Sequence, residues 1–251
     1  MDQNSDIAAV PLLAANGVSK SFGHVQALDS VNIAVHAGEI VALLGENGAG
    51  KSTFIKILAG VYAPDAGELL VDGRPVRFGS PAEALNAGVA TVYQDLALVE
   101  QRDVASNLFL GREFTKGIFV DRRRMYKEAE IAVESLDFHI PSVRTTVDLL
   151  SGGQRQAVAI SRAVAMGGRI VILDEPTAAL GVRESAAVLE MINNLREQGR
   201  GVILISHNLQ HVLPLADRIF VLHRGRPAGV VTSEEATAEI VVRLIMGDTS
   251  V

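Results

Sequence analysis

The run GENGAGKST, residues 45–53, follows the unbroken apolar stretch IVALL, residues 40–44. Three glycines within residues 45–50 cannot continue a strand at low cost and would break a helix. The stretch therefore has to be a turn between the two. In such a turn bare N–H groups point inward around an anion, and the N-terminus of the following helix adds partial positive charge. The spacing fits G-x-x-x-x-G-K-[ST] at Gly45, Gly50, Lys51 and Ser52. With Asn47, Gly48 and Ala49 completing the loop, Lys51 is expected to reach the outer phosphates of a nucleotide and Ser52 to give its hydroxyl to Mg²⁺. Thr53 then leads the helix TFIKIL, residues 53–58.

The fold class follows from what surrounds this turn. Apolar segments VNIAV, EIVALL, ELLVDG, ATVYQ, RIVILDE, GVILIS and RIFVLH alternate with helical stretches. Several are continuous runs, the pattern of strands buried on both faces, so a mainly parallel α/β sheet is expected. Turn signals at Ala37-Gly38 and Asp72-Gly73 predict hairpins and an antiparallel sub-sheet beside the core. Over residues 80–166 the segments PAEALNAG, DVASNLFLG, DRRRMYKEAEIAVESLDF and SGGQRQAVAISRAVAM read as helices, an inserted helical lobe between α/β portions at 12–79 and 167–246. Together, 12–246 read as a single domain behind a tail at 1–11.

Composition narrows the function. The 251 residues are 48% apolar and 21% charged, enough for a large core. No apolar run approaches the roughly 20 residues that span a bilayer. Asp2 and Asp6 stand where a signal peptide carries positive charge, and Pro11 breaks the short apolar part, so export is not expected. With no cysteine, disulfides and thiolate metal sites are excluded. A net charge of −6 disfavours nucleic acid as a partner, and Arg122, Arg123 and Arg124 beside Asp121 read as a solvated helix face.

Holding phosphates does not hydrolyse them; that needs a metal-binding carboxylate and a group that activates water. RIVILDEP, residues 169–176, offers Asp174 for Mg²⁺ and Glu175 as the proton acceptor. Gln94, ending ATVYQ, is placed to join Mg²⁺ or water to the next loop, and His207, after GVILIS, to contact the γ-phosphate. His207 and His211 have the i, i+4 spacing of a helical zinc pair, but no third ligand stands nearby. LSGGQ, residues 150–154, is a second glycine-rich turn opening a helix. One nucleotide needs one cradle, so a second points to another copy of the chain gripping the γ-phosphate.

With GENGAGKS, Gln94, LSGGQ, VILDE and His207 in this order, the chain resembles the ATP-binding subunit of ABC transporters over residues 12–246. The resemblance implies a P-loop NTPase core, ATP and Mg²⁺ as cofactors, Mg²⁺ ligation around Ser52, Gln94 and Asp174, and hydrolysis by Glu175 and His207 with Lys51 and Gln94. It further implies that Phe22 in VSKSFG stacks on adenine, and that Ser151, Gly153 and Gln154 bind the γ-phosphate of the partner's ATP. LAGVYAPDAGELLVDG, VYQDLALVEQRDVASNLFLGRE and DEPTAALGVRE look like the ATPases of bacterial importers of simple sugars, with fructose first. That subgroup implies paired membrane permeases, a periplasmic sugar-binding protein and a place on the cytoplasmic face of the plasma membrane. Two features depart from it: many members fuse two ATPase domains, which a homodimer would replace here, and Gly181 stands where the wider family carries Asp. The alternative is a soluble ABC ATPase acting on ribosomes or DNA, whose charged linkers or long coiled coils this sequence does not display.

Overall fold

The computed structural model describes residues 10–248, so the tail expected at 1–11 lies outside the described residues but for Val10 and Pro11, as does the reading of Asp2 and Asp6. The chain runs β1 (Leu13–Phe22), β2 (Val25–Val35), β3 (Ile40–Leu44), α1 (Lys51–Leu58), β4 (Ala66–Val71), β5 (Arg74–Val76), α2 (Pro81–Asn86) and β6 (Val89–Val92). It continues through α3 (Val104–Leu108), a short ribbon of β7 (Thr115–Lys116) and β8 (Phe119–Val120), α4 (Arg122–Glu134) and α5 (Gly152–Ala165). The last part holds β9 (Ile170–Asp174), α6 (Val182–Glu197), β10 (Gly201–Ile205), α7 (Leu209–Val212), β11 (Arg218–His223), β12 (Arg226–Thr232) and α8 (Ala238–Ile245).

Side chains alternate across a strand, and here both faces are covered. Ile40, Ala42, Val171, Leu173, Val202 and Leu204 enter one apolar cluster, shared with Ile160 of α5, Val188 of α6 and Val241 of α8. Their neighbours Val41, Leu43, Ile170, Ile172, Ile203 and Ile205 enter a second, shared with Phe54 and Ile57 of α1 and with Leu13, Val31 and Leu69 of the antiparallel sheet. This is why β3, β9 and β10 read as continuous apolar runs rather than alternating ones. The main sheet has the order β12-β11-β3-β10-β9-β6, with every neighbouring pair parallel except β11 and β12. The second sheet is β2-β1-β4-β5.

Three expectations need correction. Ala37-Gly38 does not close a hairpin: β2 pairs with β1, whereas β3 pairs with β10 and β11 in the other sheet. A strand with five buried positions needs cover on both faces, and this connection crosses between layers to provide it. Asp72-Gly73 does form a hairpin turn, opposing Val71 to Arg74. Gln94 does not end its strand, since β6 stops at Val92. Finally, the helical lobe does not begin at residue 80, because β6 pairs with β9 and its buried Val89, Ala90 and Val92 complete the main sheet. The lobe has its own cluster, built on Val104, Leu108, Met125, Ala129, Val133 and Val147. Helix α5 belongs to both bodies, with Val158 in the lobe and Ala157, Ile160 and Ala163 in the core.

One buried polar residue holds the lobe's entry loop. The Asn107 side chain is fully buried; its carbonyl accepts from Val99 N at 2.7 Å and its amide donates to the carbonyls of Val99, Arg102 and Asp103. Asn107→Ala should therefore cost about 2–4 kcal/mol in urea unfolding, since it strands several buried backbone groups at once. A cost under 1 kcal/mol, read the same way, would mean that water replaces the amide without loss.

Candidate functional site

Four neighbouring parallel strands end on the same side of the sheet, in the spatial order β3, β10, β9, β6. Charge cannot sit within strands buried on both faces, so polar chemistry collects where they stop. A cleft of about 700 Å³ opens there, lined by Gly45, Lys51 and Ser52 after β3, Gln94 after β6, Asp174 and Glu175 at the end of β9, and His207 after β10. Crevices outside the carboxyl ends of parallel strands are the usual ligand sites of open α/β sheets.

The loop before α1 depends on missing side chains. Gly45 (φ 149°) and Gly50 (φ 103°) hold left-handed backbone, and a Cβ on them would fall 2.3 Å from the Leu222 carbonyl oxygen and 2.6 Å from that of Ala27. The loop is thus pressed between β11 and β2. Helix α1 begins without a side-chain cap, which leaves its first N–H groups to whatever occupies the cleft. Asn47, Gly48 and Thr53 also line the cleft, whereas Ala49 is buried beneath the loop. The Lys51 ammonium donates to the carbonyls of Gly45 (2.7 Å) and Glu46 (3.0 Å). Burial pulls its pKa below the ordinary lysine value, opposed by the negative charges of Glu175 and Asp174.

Two carboxylates face this lysine. Asp174 is pushed above the usual carboxylate range first by burial and then by the charge of Glu175, with Lys51 acting against both. Glu175 has φ 52°, a left-handed conformation that costs a non-glycine residue roughly 1–2 kcal/mol. Its N–H donates to the Ile205 carbonyl (2.9 Å), which fixes it beside the end of β10. One carboxylate oxygen lies 2.9 Å from His207 Nδ1, and the imidazole beyond is mostly exposed to the cleft. His211 is engaged elsewhere, with Thr177 Oγ1 at 3.1 Å and Asn208 at 3.3 Å, so the two histidines do not converge.

Metal fit follows from donor chemistry. Among the described residues no group of three His, Cys, Asp or Glu side chains forms a cation cage. Ser52, Gln94 and Asp174 nevertheless present a hydroxyl, an amide and one carboxylate to the same cleft. Few hard oxygen donors suit Mg²⁺, which keeps water and substrate phosphate as its remaining ligands.

Two expected groups stand apart from the cleft lining. Phe22, half-exposed, meets Tyr62 edge-on at 5.3 Å and has the Lys20 ammonium 5.6 Å from its ring centre. Its cross-strand partner Val25 is the residue that lines the cleft. Ser151, Gly153 and Gln154 form the first turn of α5, where Ser151 and Gln154 cap each other: Ser151 N donates to Gln154 Oε1 at 3.0 Å and Gln154 N to Ser151 Oγ at 3.4 Å. Sequence reasoning missed two more residues. Arg162 of α5 donates to the carbonyls of Ala97 (2.9 Å) and Leu96 (2.7 Å), tying down the loop after Gln94. Glu184 lies against Gly153. Neither sits in a motif; the Arg162 signal was a cation on an otherwise apolar helix face.

Comparison with known proteins agrees with this geometry. The model of the ABC transporter family matches residues 28–178. The chain is 46% identical over 93% of both lengths to the xylose/arabinose import ATP-binding protein of Sulfolobus acidocaldarius, and 45% identical over 96% of both to the fructose import ATP-binding protein of Rhizobium meliloti. The ribose import ATP-binding protein of Yersinia pestis is 42% identical over 95% of this chain but only 47% of its own length. Among solved structures, an ATP-binding cassette of an ABC transporter in its ADP conformation superposes with a TM-score of 0.80 at 25% identity, covering 94% of this chain and 99% of that one.

The strained carboxylate pair makes a stability prediction. A raised folded-state pKa at Asp174 means the folded chain binds more protons than the unfolded one, so its contribution falls as pH rises through that value. Asp174→Asn should therefore raise the melting temperature of the nucleotide-free protein at pH 7 by about 2–4 °C, the response to roughly 1 kcal/mol after discounting solvent screening. Scanning calorimetry should show the gain shrinking as pH falls through the folded-state value and vanishing below the unfolded value of about 3.9, where the wild-type carboxyl is protonated in both states.

Proposed function

Because the chain belongs to the ABC transporter family, we propose that it is the ATP-binding and hydrolysing subunit of an importer of simple sugars, with fructose the first candidate cargo. The observation that carries the reading is the convergence of Lys51, Asp174, Glu175 and His207 on one cleft beside the glycine loop. The sugar named for each relative supports the cargo class and leaves several monosaccharides in it.

In this reading the loop N–H groups and the α1 N-terminus hold the β- and γ-phosphates of ATP. Lys51 leaves its two carbonyls and places its charge on the phosphate oxygens, which compensates for its partial burial. Ser52 and Asp174, with Gln94 nearby, would hold Mg²⁺, which would supply charge neutralisation at the phosphates. Glu175 accepts a proton from water as the water oxygen attacks the γ-phosphorus, and ADP leaves as the bond to its β-phosphate oxygen breaks. His207, hydrogen-bonded to Glu175, orients that carboxylate and faces the γ-phosphate. Phe22 borders the base through its strand partner Val25.

Ser151, Gly153 and Gln154 lie outside the cleft lining, which supports a role towards a second copy: two chains closing head to tail would each bring this turn to the other's ATP. Among the described residues no helix is long and apolar enough to cross a membrane. Contact with the bilayer then runs through permease subunits at the cytoplasmic face, and a periplasmic binding protein delivers the sugar. Arg162 supports such coupling, since it links the loop after Gln94 to α5, the helix that opens with the LSGGQ turn of residues 150–154, the signature turn.

Lys51→Ala should weaken MgATP binding by about 100-fold, near the upper range for one hydrogen bond to a charged group, while the melting temperature without nucleotide barely moves. Equilibrium titration with a fluorescent ATP analogue checks this, and unchanged affinity would remove the phosphate assignment. Glu175→Gln keeps size and hydrogen-bonding reach but cannot take the proton, so turnover should fall by about 10²–10⁴. That variant should sediment as a dimer in MgATP and as a monomer in ADP. Adding Ser151→Arg should abolish the dimer while each chain still binds ATP.

A further inference from the structure

The signature turn already holds an anion, and it comes from the same chain. Helix α6 begins after Gly181, which has no side chain to cap it, and Glu184 reaches back so that its Oε2 accepts from Gly181 N at 3.3 Å. That side chain also lies across the first turn of α5. A Cβ placed on Gly153 would come within 3.1 Å of Glu184 Cβ, and one on Gly152 within 3.9 Å of its Oε2. Hydrogen bonds from the Ser151 hydroxyl first, then from Gly181 and Gly153 N–H, hold the Glu184 carboxyl below the usual glutamate range.

The other donors of that turn are occupied. Ser151 N is taken by Gln154 and Gln154 N by Ser151 Oγ, which leaves the serine hydroxyl and the Gly152 and Gly153 N–H groups with capacity for an anion. The hydroxyl and the Gly153 N–H meet Glu184. One carboxylate therefore bridges the positive ends of two helices, one from the lobe and one from the segment that follows Glu175.

We propose that Glu184 is an internal placeholder for the γ-phosphate: its carboxylate fills the signature cradle in the unpaired chain, and the partner's ATP must displace it for two chains to close. The inference rests on the pairing set out under Proposed function. Phosphate carries more charge and more acceptor oxygens than a carboxylate, so ATP can win this exchange. ADP brings no γ-phosphate to replace what it removes. Glu184 thus raises the threshold for pairing and makes it depend on the third phosphate, because a ligand shifts an equilibrium only by its differential affinity for the two states. Displacement also frees Gly181 N–H and with it the turn from Glu175 to α6, so that filling the cradle on one chain is felt beside its own catalytic carboxylate.

The test uses the full chain in the slow-turnover Glu175→Gln background, with the monomer–dimer equilibrium followed by sedimentation velocity across MgATP concentrations. Adding Glu184→Gln, which retains the α6 cap but competes as a neutral amide, should lower the MgATP concentration at half-dimer by about tenfold. Glu184→Ala should shift it in the same direction, and either double variant should begin to pair in ADP. A purely structural role predicts the reverse, namely unchanged or weaker pairing with a lower melting temperature. If the Glu175→Gln parent pairs in MgATP and both double variants pair no more readily, the placeholder is wrong and the pairing stands. If the parent itself stays monomeric, the pairing falls and the placeholder with it.

Discussion

Cover on both faces of β3, β9 and β10 is the constraint on which the rest depends. Each side chain along these strands leaves water, so none before the final position can carry charge without a partner. The first groups free to do so stand at the strand ends: Lys51 one loop beyond β3, Asp174 as the last residue of β9, and His207 just beyond β10. Because these strands are parallel neighbours, their ends coincide at one edge. The apolar core thus determines where catalysis is possible, and half-burial of Asp174 and Lys51 gives their mutual attraction a strength that exposed groups would lack.

That edge carries two carboxylates and one lysine. Burial and then the charge of Glu175 push Asp174 above the usual carboxylate range, with Lys51 opposing, and Glu175 keeps a left-handed backbone that few glutamates adopt. Strain of this kind persists only where surrounding structure over-determines it, here through the Glu175 N–H bond to Ile205 and the His207 contact. Two carboxylates beside one lysine leave an excess of negative charge, which a divalent cation arriving with phosphates would offset.

Much of this was legible in the sequence. Continuous apolar runs identified the strands of the main sheet, and glycine spacing identified the phosphate turn. Other features were hidden for physical reasons. The strand β1 is interrupted by Asn16-Gly17, where its register with β2 shifts, and β12 contains Pro227 on an edge, so neither shows a clean period. Ala37-Gly38 looks like a hairpin turn because local turn chemistry does not encode which sheet the next strand joins. The strand β6 is only four residues long and lies in a region otherwise read as helical, so its place at the sheet edge required the tertiary pairing with β9. Arg162 and Glu184 act on backbone groups distant in sequence, and such contacts leave no local pattern.

Those two residues give α5 a role beyond packing. Its first turn meets Glu184, and about three turns later Arg162 grips the carbonyls of Leu96 and Ala97, just after Gln94. At 1.5 Å per residue the two contacts are roughly 16 Å apart along the helix axis. Arg162 is partly buried, and its guanidinium is desolvated enough to lower its pKa, so giving up either carbonyl would leave a poorly hydrated cation. The loop after Gln94 is therefore obliged to follow α5. A helix rigid over this length transmits any rotation at the signature turn to the loop leaving Gln94, with Asn107 holding the far end of that loop to the lobe. Glu184 sits at the opposite end of the same rod, joined to the segment that leaves Glu175. An anion exchanged at the α5 N-terminus thus acts on the two segments that leave the ends of β9 and β6, the one after Glu175 and the one after Gln94, without any contact between them at the phosphate.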